Sequence, residues 1–163
     1  MSRRHASEKR EILPDTKYKD VLVSKFINKI MKQGKKELAE RIVYSAFQKV
    51  EQKYKIGALE AFKNAYENVR PYFRVEPLRI GGATYQVPSP VPELKGYSLA
   101  IDWIINAARN RSSEKRIEEK IAEEMYEASN NKGAAVKKKD DTHKMAEANK
   151  PFAHFSTKKY KSH

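Results

Sequence analysis

The stretch at residues 72–92, YFRVEPLRIGGATYQVPSPVP, decides the fold, because it predicts a β-ribbon in an otherwise helical chain. Gly81 and Gly82 lack a Cβ and can supply the positive φ angles of a two-residue hairpin turn. That turn would pair Leu78 with Tyr85 and separate an apolar face from a polar face that carries Arg79. A lone two-stranded ribbon is marginal in water. We therefore expect it either to lie on the helices or to reach out to a partner.

Apolar residues recur at helical spacing on both sides of the ribbon. The predicted helices cover about residues 20–33, 36–54, 58–70, 92–111, 112–129 and 134–149. The fourth is apolar nearly all round, so we expect it to be the most buried, with Trp103 in the core. Ser112 or Ser113 is expected to cap the fifth. The sequence predicts a mainly α fold, a single bundle of about six helices with a protruding two-stranded hairpin at 73–88 between the third and fourth helices.

The last two predicted helices carry few large apolar side chains on their outer faces. The carboxylates of the fifth helix interleave with basic residues, which predicts a solvated, salt-bridged face. In the sixth helix Val136 and Met145 are the only large apolar side chains. A helix that is polar all round needs outside support. We therefore expect the sixth helix either to gain a partner outside the domain or not to persist alone.

The charge balance points to a polyanionic partner. The chain of 163 residues has 34 Lys and Arg against 21 Asp and Glu, a net charge of +13. It has no cysteine, and its four histidines lack metal-ligand spacing. No nucleophile or phosphate-loop pattern is present, and no apolar run has the length of a membrane span. These observations predict no enzyme, cofactor, metal site, small-molecule substrate or membrane partner.

Three basic regions leave two interpretations open. Residues 1–20 are expected to be a basic arm that either stays disordered or folds onto nucleic acid. Lys25, Lys29, Lys32 and Lys36 form a row with no acidic residue expected at i±4, which is typical of a phosphate-facing or a solvated surface. The tail at 150–163 interleaves aromatic residues with lysines, so it either stacks on unpaired bases or frays. The helical domain is placed at 21–149.

Several stretches together carry a resemblance to a known family. They are SRRHASEKREILPD, GKKELAERIVYSAF, GGATYQVP, LAIDWIINAARNR and ASNNKGAAVKKKDDTHKMAEANKPFAHF, in order from Ser2 to about Phe155. They resemble the bacterial-type small-subunit ribosomal protein seven family. The resemblance implies a six-helix domain with a protruding hairpin. It also implies a structural protein that binds the 3′ major domain of small-subunit (16S) rRNA and nucleates assembly of the subunit head.

The resemblance also implies which residues face RNA. It implies that rRNA contacts Arg3, Arg4, Lys9, Arg10, Lys25, Lys29, Lys35, Lys36, Arg74, Arg79, Lys95, Arg109 and Arg111. It implies that exit-site tRNA and the mRNA path lie near Gly81, Gly82, Tyr85, Lys137, Lys138 and Lys144. The implied protein neighbours are the ninth, eleventh, thirteenth and nineteenth small-subunit proteins. The chain departs from the family pattern at Pro92, Gly96 and Asp102, where basic residues are common.

Two other classes are weighed against this one. An architectural DNA-binding protein could insert a proline-bearing β-arm into a minor groove, although Pro77 and Pro88 lie well back from the tip. A protein–protein adapter could use the fifth and sixth helices and would show little salt dependence. The start of the chain has no transit-peptide pattern, which favours the bacterial cytoplasm but is equally expected of an organelle-encoded copy.

Overall fold

The computed structural model describes residues 11–113 and 116–155. Its α-helices are α1 Val21–Ile30, α2 Lys36–Tyr54, α3 Ala58–Val69, α4 Glu93–Asn110, α5 Ile117–Ser129 and α6 Gly133–Ala148. Strands β1 Phe73–Ile80 and β2 Ala83–Pro90 lie between α3 and α4, and a 3-10 helix, Lys150–Phe155, follows α6. The predicted fold class is confirmed. The chain divides into two compact units between Arg41 and Ile42, within α2.

The described part of the first unit contains a hydrogen-bonded turn followed by α1. The buried Asp15 carboxylate accepts hydrogen bonds from the backbone N–H groups of Lys17 and Tyr18, at 3.1 and 3.0 Å. Residues 15–20, which the sequence places in the arm, are therefore folded locally. Asp20 caps α1 as predicted, because its carboxylate accepts from the Leu22 N–H at 2.7 Å. The helix ends three residues before the predicted Gln33, since Met31 adopts an extended ψ of 133°.

The core of the second unit centres on α3, not on α4 as predicted. Six of the twelve α3 residues are buried, against six of the eighteen in α4. Phe62 of α3 contacts Phe47 and Tyr66 with ring centroids 5.4 and 5.6 Å apart. The α4 prediction failed because its first turn is exposed and Trp103 is only partly buried.

The hairpin forms in the predicted register. Leu78 pairs with Tyr85 and Ile80 with Ala83, and Gly81 and Gly82 adopt the positive φ angles of 57° and 90° that the turn requires. The hairpin packs against α6 through β1 and against the 3-10 helix through β2. Its tip is exposed. The ribbon therefore lies on helices along its length and presents its turn to solvent.

Helices α5 and α6 differ from the sequence expectation at their starts and in their packing. Helix α5 begins at Ile117 after Arg116, so neither Ser112 nor Ser113 caps it. The buried face of α6 is built from Ala135, Val136, Thr142 and Ala146, and it packs against α4, α5 and β1. The prediction that α6 needs a partner outside the domain is wrong. Small side chains let the helix approach its neighbours closely, which a search for large apolar residues does not detect.

Candidate nucleic-acid interface

In the first unit, cations gather where α2 begins. Gly34, with φ of 73°, lies in the turn after α1, and α2 starts at Lys36. Lys35, Lys36 and Arg41 line an open cleft of about 580 Å³ at this end of α2, together with one carboxylate, that of Glu37. The start of a helix carries a partial positive charge, which adds to that of the three side chains. This surface, the α2 cleft, is suited to an anion such as phosphate.

The lysine row that leads to the α2 cleft is less uniform than the sequence predicts. Lys36 forms an ion pair with Glu40 at 3.6 Å, so the expectation of a row with no acidic residue at i±4 is wrong. The Lys36 side chain is still 65% exposed, and an exposed pair of this kind is weak. Lys29 and Lys32 are exposed, whereas Lys25 is half-buried.

In the second unit, most of the predicted RNA-facing cations lie on the surface. The exposed ones are Arg79, Lys95, Arg109, Lys137, Lys138 and Lys144. Arg74 is half-buried and forms an ion pair with Glu76 of the same strand. The hairpin turn is exposed, and Tyr85 is partly covered by the rings of the 3-10 helix. Each of these RNA contacts stays a prediction.

Arg111 occupies a different environment from the other predicted cations. Its side chain is 20% exposed and pairs with Glu124 at 2.8 Å and with Glu127. The Glu124 side chain is 1% exposed and also accepts a hydrogen bond from the Ala135 N–H at 2.9 Å. The prediction that all the α5 carboxylates lie on a solvated face is therefore wrong for Glu124. The rRNA contact of Arg111 stays a prediction, and the structure gives it a second role in joining α4 to α5.

Arg70 is a residue that sequence reasoning missed. Its guanidinium pairs with Glu93 at 3.0 Å and lies 5.2 and 4.8 Å from the ring centroids of Tyr72 and Tyr97. A Cβ on Gly96 would lie 3.1 Å from the Arg70 Cγ. Close packing therefore explains Gly96 at a position where the family often carries a basic residue. The three-residue separation of Glu67 and Arg70, which form an i,i+3 ion pair, is the sequence signal that could have identified Arg70.

The Tyr97 hydroxyl is held in the same cluster. It lies 2.9 Å from a Glu67 carboxylate oxygen and 3.1 Å from one of Glu93. The hydrogen bond to Glu67, aided by burial, raises the pKa of Tyr97 to about 12. The phenol therefore stays protonated at neutral pH and continues to donate to a carboxylate. This hydrogen bond ties the start of α4 to α3 at the base of the hairpin.

His143 of α6 is joined to the hairpin base. Its Nε2 accepts a hydrogen bond from the Tyr72 N–H at 3.1 Å, so this nitrogen must be unprotonated. Burial lowers the pKa of His143 below its usual 6.5; Lys139 lowers it further, and Asp140 opposes the shift. The unfolded chain therefore binds a proton more readily than the folded chain. This contact stabilises the fold above pH 6.5 and is lost as the pH falls below that value.

We expect the free energy of unfolding to decrease more between pH 7 and pH 5 in the unchanged chain than in a His143→Gln variant. Glutamine can offer an uncharged acceptor to the Tyr72 N–H and does not titrate in this range. Denaturant unfolding at both pH values measures the difference, and His154→Gln controls for an exposed histidine. Equal pH dependence in the unchanged chain and the His143 variant would contradict this assignment.

Part of the predicted interface lies outside the described residues. Arg3, Arg4, Lys9 and Arg10 lie outside the described residues, as does the tail beyond Phe155. Within 11–113 and 116–155, no group of three or more His, Asp or Glu side chains is placed to hold a metal ion. None of the described helices combines the length and apolar character that a membrane crossing needs.

The fold and these surfaces define a class of protein. It is a helical protein with a β-hairpin and exposed cations in both units, of the kind that binds a polyanion such as RNA. A model of the family described as Ribosomal protein S7p/S5e matches residues 2–150. The chain belongs to this family.

Close relatives agree with the family match. The chain is 64% identical over 161 residues to the small ribosomal subunit protein uS7 of Rickettsia bellii (strain RML369-C), covering 99% of this chain and 98% of the relative. It is 63% identical over 161 residues to the uS7 protein of Rickettsia rickettsii (strain Sheila Smith), covering 99% and 100%. The predicted family is confirmed, and with it the prediction of a bacterial-type ribosomal protein that is not an enzyme.

Proposed function

We propose that this chain is a structural component of the small ribosomal subunit that binds the 3′ major domain of 16S rRNA directly and nucleates assembly of the subunit head in the cytoplasm. The α2 cleft is the single observation that carries the RNA-binding part of this proposal. Lys35, Lys36 and Arg41 line it at the start of a helix, where they outnumber the one carboxylate of the lining, that of Glu37. Family membership supports the ribosomal part.

The proposed contacts fall into two groups. The residues that face rRNA are Lys25, Lys29, Lys35 and Lys36 of the first unit, Arg74, Arg79, Lys95, Arg109 and Arg111 of the second, and Arg3, Arg4, Lys9 and Arg10 of the arm. Exit-site tRNA and mRNA lie near Gly81, Gly82 and Tyr85 of the hairpin and near Lys137, Lys138 and Lys144 of α6. The protein neighbours are the ninth, eleventh, thirteenth and nineteenth proteins of the subunit.

Recognition by these residues rests on charge and shape. Lysine and arginine side chains neutralise phosphates and release condensed counterions, which supplies affinity without sequence selection. The deep major groove of an RNA helix is closed to side chains, so a rigid protein surface recognises the shape of a folded junction instead. The ion pairs and ring contacts around Arg70 stabilise the hairpin base, where Lys95 is exposed. A fixed base limits the directions in which the hairpin presents its tip.

We expect the chain to bind a transcript of the 16S 3′ major domain with steep salt dependence. If about 6–10 phosphates are contacted, affinity falls by roughly 10³–10⁵ between 50 and 200 mM salt. Filter binding across a salt series measures this, with duplex DNA of equal length as competitor. Binding that DNA cannot displace supports the proposal. Equal competition by DNA would mean that charge alone drives binding, and would favour an architectural DNA-binding protein.

A further inference from the structure

The 3-10 helix after α6 places two phenylalanines one above the other. A 3-10 helix has 3.0 residues per turn and rises about 2.0 Å per residue, so side chains at i and i+3 eclipse about 6 Å apart. Phe152 and Phe155 have this spacing. Their rings are nearly parallel, with 12° between the ring planes and 6.5 Å between the centroids.

Tyr85 of the hairpin forms a third side of this arrangement. Its ring centroid lies 5.6 Å from that of Phe152 and 5.1 Å from that of Phe155. With the 6.5 Å between the phenylalanines, the three centroids form a nearly equilateral triangle. Tyr85 therefore closes one side of the space rather than lying between the two phenylalanine rings. We call the space bounded by Tyr85, Phe152 and Phe155 the aromatic slot.

The aromatic slot differs from the aromatic contacts of the core. In the core, Phe47 and Phe62 are fully buried and their ring planes are tilted by 46°. Phe152 and Phe155 are half-exposed and nearly parallel. The His154 ring packs against Phe155 at 4.0 Å and is itself held to the Pro151 carbonyl, 2.8 Å from its Nδ1. These contacts support the Phe155 ring without burying it.

The spacing of the two phenylalanines matches the thickness of a base. Stacked bases are separated by about 3.4 Å, so one base between two rings needs about 6.8 Å between the ring planes. The two ring centroids lie 6.5 Å apart. To take a base, the rings must therefore face each other without lateral offset and separate by a few tenths of an ångström. Lys150 is exposed on the same 3-10 helix and offers a cation for the adjoining phosphate.

We propose that the aromatic slot binds one unpaired nucleobase of an RNA strand, sandwiched between Phe152 and Phe155 against Tyr85. This inference rests on the proposed function and deepens it, because it names the part of the RNA, a single unpaired base, that binds beside Tyr85. Stacking requires only an aromatic face on the base, so we expect little preference among bases.

A fluorescent base tests the slot directly. 2-Aminopurine loses fluorescence when it stacks on an aromatic ring. It is placed once in a linear RNA oligonucleotide and once in the loop of an RNA hairpin, and each is titrated with the full chain. Quenching in the linear strand alone assigns the slot to an mRNA-like strand, and quenching in the loop alone assigns it to a folded RNA. Absence of quenching in both would overturn the proposal.

The matched variants separate stacking from packing. Phe152→Leu with Phe155→Leu keeps the apolar character and removes the ring faces, and we expect it to bind the oligonucleotide about 5- to 150-fold more weakly. Phe73→Leu removes a phenylalanine that is 54% exposed on β1, outside the slot, and should leave this affinity unchanged. Phe152→Tyr retains a ring and should retain binding. Thermal unfolding checks that each variant is folded.

The failure of the slot and the failure of the proposed function have different signatures. Unchanged oligonucleotide affinity in a folded double leucine variant would overturn the slot, while tight binding of the 16S 3′ major domain by the same variant would leave the proposed function intact. If the unchanged chain lacks salt-dependent binding to that domain, the proposed function fails. Quenching of the 2-aminopurine in the oligonucleotide by the protein still tests the slot alone.

Discussion

Replacing Arg111 with alanine is expected to lower the free energy of unfolding by roughly 3–5 kcal/mol. The change removes the cation beside Glu124, whose side chain is 1% exposed, and leaves a buried carboxylate without its charge partner. A buried charge that loses its partner is costly because it has already given up its hydration. Glu124 also accepts the Ala135 N–H, so the start of α6 is expected to loosen with it. Denaturant unfolding followed by circular dichroism measures the loss.

The control variants identify the buried charge as the cause. Adding Glu124→Gln to Arg111→Ala should recover much of the lost stability, since glutamine carries no charge and its amide oxygen can still accept from the Ala135 N–H. Lys95→Ala removes an exposed cation of α4, and we expect an effect within about 0.5 kcal/mol. A loss below about 1 kcal/mol for Arg111→Ala would mean that Glu124 is effectively solvated, and would contradict this explanation.

Removing two lysines from the α2 cleft is expected to weaken binding to the 16S 3′ major domain without loss of fold. Each phosphate contact contributes about 0.7–0.9 to the slope of log affinity against log salt. Lys35→Ala with Lys36→Ala should therefore make the slope shallower by about two, and should lower affinity roughly 10- to 30-fold near 0.15 M salt. Both side chains are exposed, so the melting temperature should change little. Filter binding across a salt series measures the slope and the affinity.

A charge-matched variant shows whether the position of the lysines matters. Lys63→Ala with Lys132→Ala removes the same charge from exposed positions outside the proposed interface. We expect its slope to remain close to that of the unchanged chain. If both double variants change the slope equally, net charge rather than the α2 cleft governs binding. If the slope of the Lys35 and Lys36 variant is unchanged, this pair does not belong to the interface.

Much of the fold could be predicted from the sequence, because its signals are local. Gly81 and Gly82 fixed the hairpin register, and α2 lies at the predicted residues 36–54. Asp20 identified the start of α1 through a contact with a residue two positions away. The family was predictable as well, since its motifs are continuous stretches of chain. In each case the residues that decide the outcome are neighbours in sequence.

The candidate sites were predictable as basic and aromatic stretches of chain, but not as assembled sites. Chain order alone does not reveal that Arg111 meets the buried Glu124, that His143 accepts from Tyr72, or that Phe152 and Phe155 face Tyr85. The last two contacts join residues about 70 positions apart, and the first depends on which face α5 turns toward α4. Periodicity reports which residues share a face of one helix, whereas burial, ion pairing and ring spacing depend on what the neighbouring element presents. The sequence by itself determined the presence of the six α-helices, the hairpin register and the excess of cations. Only the tertiary structure decided which of those charges are paired and where the aromatic rings meet.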